Sequence, residues 1–249
     1  MMPLIFSKFG IWTLTTVDVI SLIAATTNAF NGTLLARRPD HYKNFTVAGV
    51  IILGYVGGIG GGIVRDLLVN RIPSPLVNPW YLILCLAAAG LAILIHYNSG
   101  QKFKDGLFQF MTAFSLPWYA IVGAQAGLAV HLGYIAAILI GIVATTAGRW
   151  LIDTACLVVP KQLVRGEFFI LAAALTATTY VICDQAFGLS IIPATIISFF
   201  VGFGFRLASQ ALGWEEWEPW EPAPLTQGQK ERKKLGQGLR DEFDRPPQS

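Results

Sequence analysis

Apolar runs long enough to cross a bilayer recur along almost the whole of this chain. They occupy roughly residues 12–36, 45–69, 79–97, 106–130, 133–159, 167–183 and 190–212. A hydrocarbon core about 30 Å thick needs about 20 such residues in a helix. Charged residues make up 13% of the chain, against roughly a quarter in soluble domains, and much of that charge lies beyond Trp214. A body this apolar would not stay dissolved as a globule. The sequence predicts an all-α membrane protein with seven transmembrane helices.

The connections carry the breakers: Arg37-Arg38-Pro39-Asp40, Pro73-Ser74-Pro75, Asn98-Ser99-Gly100 and Pro160-Lys161. Only His131, Leu132 and Gly133 separate the fourth and fifth spans, which predicts a tight hairpin. Basic residues gather on one side: Arg37, Arg38 and Lys43, then Lys102 and Lys104, then Lys161 and Arg165, then Lys230, Arg232, Lys233 and Lys234. The other side has little beyond Lys8 and Arg71. Because positive charge stays inside, the expected topology in the cell membrane has an external N-terminus and a cytoplasmic C-terminus. No basic leader with a small-residue cleavage site precedes the first span, so no removable signal peptide is expected. The tail after Trp214 (WEEWEPWEPAP, then mixed charge) reads as solvated and disordered beyond Pro224.

Cys85, Cys156 and Cys183 all fall inside apolar runs and form no CxxC pair, so they read as small buried hydrophobes. Glycosylation-type triplets at Asn31 and Asn44 carry little weight in a chain of this length.

The stretch GGIGGGIVRD, residues 57–66, needs its own account. No start within it supplies glycines at i, i+2 and i+5, and Gly62 is followed by Ile63 rather than Lys, so neither nucleotide-loop pattern fits. Gly54, Gly58 and Gly62 form GxxxG steps that would let a neighbouring helix approach closely. Three adjacent glycines exceed what a packing groove needs, and each lowers helix propensity by about 1 kcal/mol relative to Ala. A kinked or unwound turn in the middle of the second span is therefore expected.

That segment has an echo. A shift of 87 residues places Asp66 on Asp153, Pro73 on Pro160, Tyr81 on Phe168, Gly61 on Gly148 and Asp18 on Asp105. The unit holds three spans, and an odd number makes the second copy start from the opposite side of the membrane. The organisation expected is a first three-helix repeat over 1–100, an inverted second over 101–188, an added seventh helix over 189–213 and a polar tail over 214–249. Helices 2 and 5 would be broken at their glycines.

Charges within these spans point to a pathway, because ionisable groups at such depth are costly unless paired or watered. Arg65 and Asp66 lie about 12 Å beyond the centre of the second span, toward the outer face. Arg149 and Asp153 lie beyond the centre of the fifth, toward the cytoplasm, and Asp18 sits in the outer half of the first. Arg149 and Asp153, four apart, can pair along one helix face; Arg65 and Asp66, adjacent, point different ways and need partners elsewhere. An hourglass-shaped polar path lined by Gly57, Gly58, Gly60, Gly61, Gly62, Arg65, Asp66, Gly148, Arg149, Asp153 and Asp18 is the reading favoured. Ion pairs that lock the bundle are the structural alternative.

At these residues the chain resembles the TRIC family of trimeric intracellular cation channels and their bacterial relatives. The motif Gly60-Gly61-Gly62-Ile63-Val64-Arg65-Asp66, with Pro73 and Tyr81 behind it, carries the resemblance, together with NAFNGTLLARR and AIVGAQAGL. The second copy, Thr145 to Asp153, keeps one glycine and the aspartate. Ile152 stands where an arginine is expected, and Arg149 lies about one turn earlier. The resemblance implies seven spans, a homotrimer with a separate pore in each protomer, and passage of potassium and sodium. No cofactor and no nucleic-acid partner is implied; membrane lipid is the other expected contact.

Two functions follow. In a monovalent cation channel, backbone carbonyls freed at the glycines would replace part of an ion's hydration shell, with Asp18, Asp66 and Asp153 offsetting its charge. In a secondary transporter of a small zwitterion such as glycine, the same helix ends would bind a carboxylate. A membrane enzyme is disfavoured, because the spans lack HExxH, GxSxG and any His/Cys cluster. A purely structural role would leave the mid-span glycines unexplained.

Overall fold

The structure, a computed structural model, describes residues 15–36, 45–98, 101–163 and 168–214. The basic positions Lys8, Arg37, Arg38, Lys43 and Arg165, Asn44 of its triplet and the tail over 215–249 lie outside the described residues.

All regular structure among the described residues is helical: α1 (Thr16–Ala36), α2 (Val47–Leu68), α3 (Ser74–Val77), α4 (Pro79–Asn98), α5 (Gln101–Ala129), α6 (Tyr134–Ala155), α7 (Phe169–Val181) and α8 (Ile191–Ala211). One turn of 3₁₀ helix covers Lys161–Leu163, and a π-turn, Ile182–Ala186, extends α7. Six of these helices are long and apolar enough to cross a membrane. The third expected span is α4, whose apolar part, Pro79–Ile95, falls short of that length; at 1.5 Å per residue it reaches about 25 Å. The hairpin between α5 and α6 is tight, and His131 closes it with φ 59°.

The 87-residue offset reappears in the backbone. Shifted by that amount, α2 coincides with α6 at both ends. Thr46 caps α2 with φ −67° and ψ 162°, accepting from Gly49 N–H, and Gly133 precedes α6 at φ −60° and ψ 157°. Both helices close alike. The Arg71 N–H reaches back to the Asp66 carbonyl at 2.8 Å and the Val158 N–H to the Asp153 carbonyl at 2.9 Å. Asn70 and Leu157 supply the left-handed residue, at φ 54° and 55°. This is the Schellman pattern, normally built on glycine. Asn70 is among the residues that take this conformation readily, whereas Leu157 is not, so at α6 the closure runs against local preference.

α2 and α6 each run without interruption, so the expected glycine breaks in helices 2 and 5 are corrected: no unwound turn exposes carbonyls there. The propensity penalty is offset by the close helix contacts described below.

Two large apolar clusters hold the bundle. One joins Leu22, Phe30, Leu53, Tyr81 and Cys85 from α1, α2 and α4 to Phe108 of α5 and Ile152 of α6. The other joins Leu116 and Ile121 of α5 to Ala173 and Tyr180 of α7 and Phe199 of α8. α8 packs on this second half through Phe199 and Phe203, whose rings meet Phe114 at 5.5 and 6.2 Å. Cys85, Cys156 and Cys183 are free thiols, all buried. Large apolar side chains such as Ile52, Leu94, Leu139 and Phe200 are exposed, as a lipid-facing surface requires.

Candidate functional site

The glycines of GGIGGG face two neighbouring helices, α1 and α6. A Cβ on Gly57 would lie 3.0 Å from the Gly32 Cα of α1, and one on Gly58 would lie 2.8 Å from the Ala25 carbonyl. One on Gly60 would meet the Gly148 Cα of α6 at 3.4 Å. At Gly61 it would overlap the Ala144 carbonyl oxygen, and at Gly148 it would meet the Gly57 carbonyl oxygen at 2.7 Å. The last two contacts are one contact seen twice: Gly61 and Gly148 are repeat mates, as are Gly57 and Ala144. α2 and α6 thus cross backbone to backbone about a local two-fold relation, and the glycines are what permit it. Gly62 differs. Nothing lies within 4 Å of its Cβ position.

The charged residues separate into distinct settings. Asp18 stands in the first turn of α1, where it accepts from the Thr15 N–H at 2.9 Å and the Thr15 hydroxyl at 2.7 Å. Thr15 Oγ1 accepts from the Asp18 N–H in return, at 3.2 Å. This reciprocal arrangement caps the helix and does not line the mid-span cleft. Arg65 and Asp66 are 5% and 3% exposed. They pair with each other, contrary to the expectation that they point apart: Arg65 Nε and Nη2 both reach Asp66 Oδ1 at 2.7 Å. The other carboxylate oxygen accepts from Ser74 N–H at 2.7 Å and Ser74 Oγ at 2.8 Å. The C-terminal end of α2 is thereby tied to the start of α3. Arg149 and Asp153 are also buried. The Arg149 guanidinium lies 5.7 Å from the Phe108 ring centre and 5.4 Å from that of Phe169. Ile152 fills the space beside Gly32 and Gly57 with its Cδ1, so the position expected to carry arginine is a packing position.

A narrow cleft enters the bundle at mid-span. Its polar wall is Asn28, Asn31, Thr112, Ser115, Thr145 and Arg149, with Gly32 and Gly57 as backbone floor. The cleft brings Gly57 and Arg149 together; Gly58, Gly60, Gly61, Gly62, Arg65, Asp66, Gly148, Asp153 and Asp18 do not line it. Sequence reasoning missed the asparagines and hydroxyls. Their signal was polar residues three apart in otherwise apolar spans, at 28 and 31 and at 112 and 115.

The two halves are not alike here. The repeat mate of Gly32 is Tyr119, buried, whose hydroxyl donates to the Gly58 carbonyl. Where the cleft is open against Gly32, the equivalent place in the other half is filled by a tyrosine ring. The repeat mate of Arg149 is Gly62.

This arrangement of helices matches solved structures closely. A TRIC trimeric intracellular cation channel orthologue from Rhodobacter sphaeroides is 28% identical, with a TM-score of 0.71 over 80% of this chain and 100% of that one. The chain is similar in fold and, at 28% identity, in sequence to this TRIC channel. Two further TRIC channel structures share the fold: one at 23% identity and TM-score 0.70 over 84% of this chain and 100% of that chain, and a prokaryotic TRIC channel in 0.5 M KCl at 21% and 0.71 over 79% and 96%. A UPF0126 membrane protein of Deinococcus radiodurans is 29% identical over 62% of this chain and 70% of its own length. A family model described as glycine transporter matches residues 18–97, the stretch that ends with α4. On this TRIC-like frame, the Gly-Gly-Gly-x-x-Arg-Asp motif is a helix crossing followed by a buried ion pair.

Proposed function

We propose that the chain is a monovalent cation channel, passing potassium and sodium through a path inside each protomer of a homotrimer. The observation that carries the proposal is the mid-span cleft, where Asn28, Asn31, Thr112, Ser115, Thr145 and Arg149 are gathered in an otherwise apolar bundle. Polar groups at that depth are expensive unless bonded, paired or watered, and their clustering marks a path. The likeness to a TRIC cation channel of 28% identity supports the same reading. In this proposal the two copies, over 1–100 and 101–188, are inverted about the crossing of α2 and α6. The Arg65–Asp66 pair then lies on the outer side and the Arg149 cleft on the cytoplasmic side, giving an hourglass. Residues 189–213 add the seventh helix and 214–249 form a cytoplasmic tail.

Reconstituted into liposomes with a potassium gradient, the purified protein is expected to dissipate that gradient and to carry current in a planar bilayer. Radiolabelled glycine is measured beside it. Saturable glycine exchange without ion current would replace the channel by a small-solute transporter.

The topology is tested separately, in the cell membrane. A reporter fused after Ser249 is expected to be active only in the cytoplasm, following the basic residues of the connections. Activity outside would reverse the assignment of the two sides.

A further inference from the structure

The wall of the cleft is unusually one-sided in its hydrogen-bonding character. Thr112 Oγ1 donates to the Phe108 carbonyl at 2.8 Å, and Thr145 Oγ1 to the Gly141 carbonyl at 2.7 Å. Ser115 Oγ is directed at the Thr112 carbonyl at 3.4 Å. With those protons committed to the backbone, the hydroxyls offer the cleft only lone pairs. Asn31 is fixed by the same logic. Its Nδ2 donates to Thr112 Oγ1 at 2.8 Å, and Thr112 can accept there because its own proton goes to Phe108. The amide is thus oriented, and Oδ1 is left as a buried acceptor with no hydrogen-bond partner. Asn31 is 7% exposed. A buried acceptor left unsatisfied forfeits the hydrogen bonds it had in water, so this oxygen calls for a ligand that brings positive charge or a donor.

We infer that Asn31 Oδ1, with the Thr145 and Ser115 hydroxyl oxygens beside it, forms a binding site for a partly dehydrated monovalent cation. The site rests on the channel reading and names where in the path the ion is held. An anion would find few donors on this wall apart from Arg149 and the Asn28 amide. That guanidinium is held against the Phe108 and Phe169 rings, whose faces take up part of its charge. Its remaining repulsion keeps the ion from binding too tightly, as conduction requires of any site in a path. Gly32 and Gly57 matter here by their size, since a side chain on either would project toward the other across the floor. The sequon at Asn31 is excluded as a glycosylation site by the same burial.

The test uses the full-length protein, wild type and with Asn31→Leu and Asn31→Asp, and two readouts. The first is melting temperature in detergent, in potassium chloride against choline chloride at equal ionic strength. A ligand held only by the folded state raises the melting point with concentration. Wild type is expected to melt higher in potassium, and Asn31→Leu to lose that difference. The second is current in planar bilayers. Asn31→Leu is expected to lower potassium conductance by about tenfold or more; Asn31→Asp, close to isosteric, is expected to assemble normally and to shift the potassium-to-sodium permeability ratio several-fold. Assembled Asn31 variants that keep both the wild-type cation response and the wild-type permeability ratio would overturn the site while leaving the channel standing. A wild type that is stabilised by potassium through Asn31 and yet carries no current would keep the site and sink the channel.

Discussion

Gly61→Leu is expected to prevent the bundle from assembling, not merely to block a path through it. A single Cβ at this position already overlaps the Ala144 carbonyl oxygen of α6, and a backbone atom cannot rotate away as a side-chain tip could. Relief requires moving two helices apart, and that movement breaks the reciprocal contact of Gly148 with the Gly57 carbonyl. Overpacking in a close-packed interior typically destabilises by about 1–3 kcal/mol and sometimes more; a leucine wedged between two backbones belongs at or above the top of that range. Gly62→Ala is the internal control. Its Cβ meets nothing within 4 Å, so only the intrinsic helix gain of up to about 1 kcal/mol remains. The measurements are folded yield by size-exclusion chromatography and melting temperature. Gly61→Leu at wild-type yield would refute the crossing; so would equal damage from Gly62→Ala. Gly61→Leu with Gly148→Leu should destabilise by less than the sum of the singles, because both variants break one shared crossing.

The glycine stretch shows how far sequence alone could go. Its three-dimensional role was half legible. The repeat offset, read from Asp66 and Asp153, aligns the ends of α2 and α6 and both Schellman closures. What the sequence could not supply was the number of neighbours around α2. A groove for one helix needs a glycine every fourth residue, so the surplus looked like a broken turn. In the structure, Gly57 and Gly58 meet α1 while Gly60 and Gly61 meet α6, and two close approaches on two faces account for every glycine of the run except Gly62.

The cleft was legible only as isolated polar letters. Thr and Ser are common in membrane helices because they can bond their own backbone four residues back, so Thr112 and Thr145 carry no signal by themselves. Asn31 becomes informative only once Thr112 is known to face it across 81 residues of chain. The difference between the halves, Gly32 in one and Tyr119 in the other, was present in the alignment at 87 residues. It acquires meaning only when Tyr119 is seen to close on Gly58.

Asp66→Ala is expected to be the most damaging change among the charged residues. Removing one partner of a buried ion pair leaves the other charge uncompensated and typically destabilises by about 3–5 kcal/mol. Asp66 does more than neutralise Arg65. Its second oxygen accepts both the Ser74 N–H and the Ser74 hydroxyl, so its loss also frees the half-buried start of α3. Asp66→Asn keeps an acceptor for Ser74 and should be less damaging. Ser74→Ala removes one hydroxyl donor and should lie near 1 kcal/mol. The order Asp66→Ala, Asp66→Asn, Ser74→Ala is thus set by how many of these bonds each change removes, and melting temperature with folded yield reads it. A double variant separates a structural lock from a required charge. If the pair serves chiefly to neutralise itself, Arg65→Met with Asp66→Leu should recover much of the stability lost in Asp66→Ala, since apolar pairs often replace buried ion pairs without loss. If that double variant folds and still carries potassium current, the motif's arginine and aspartate hold the end of α2 in place without lining the path. Asp66→Ala within 1 kcal/mol of wild type would mean that water reaches Arg65 and that the lock described here does not bear on folding.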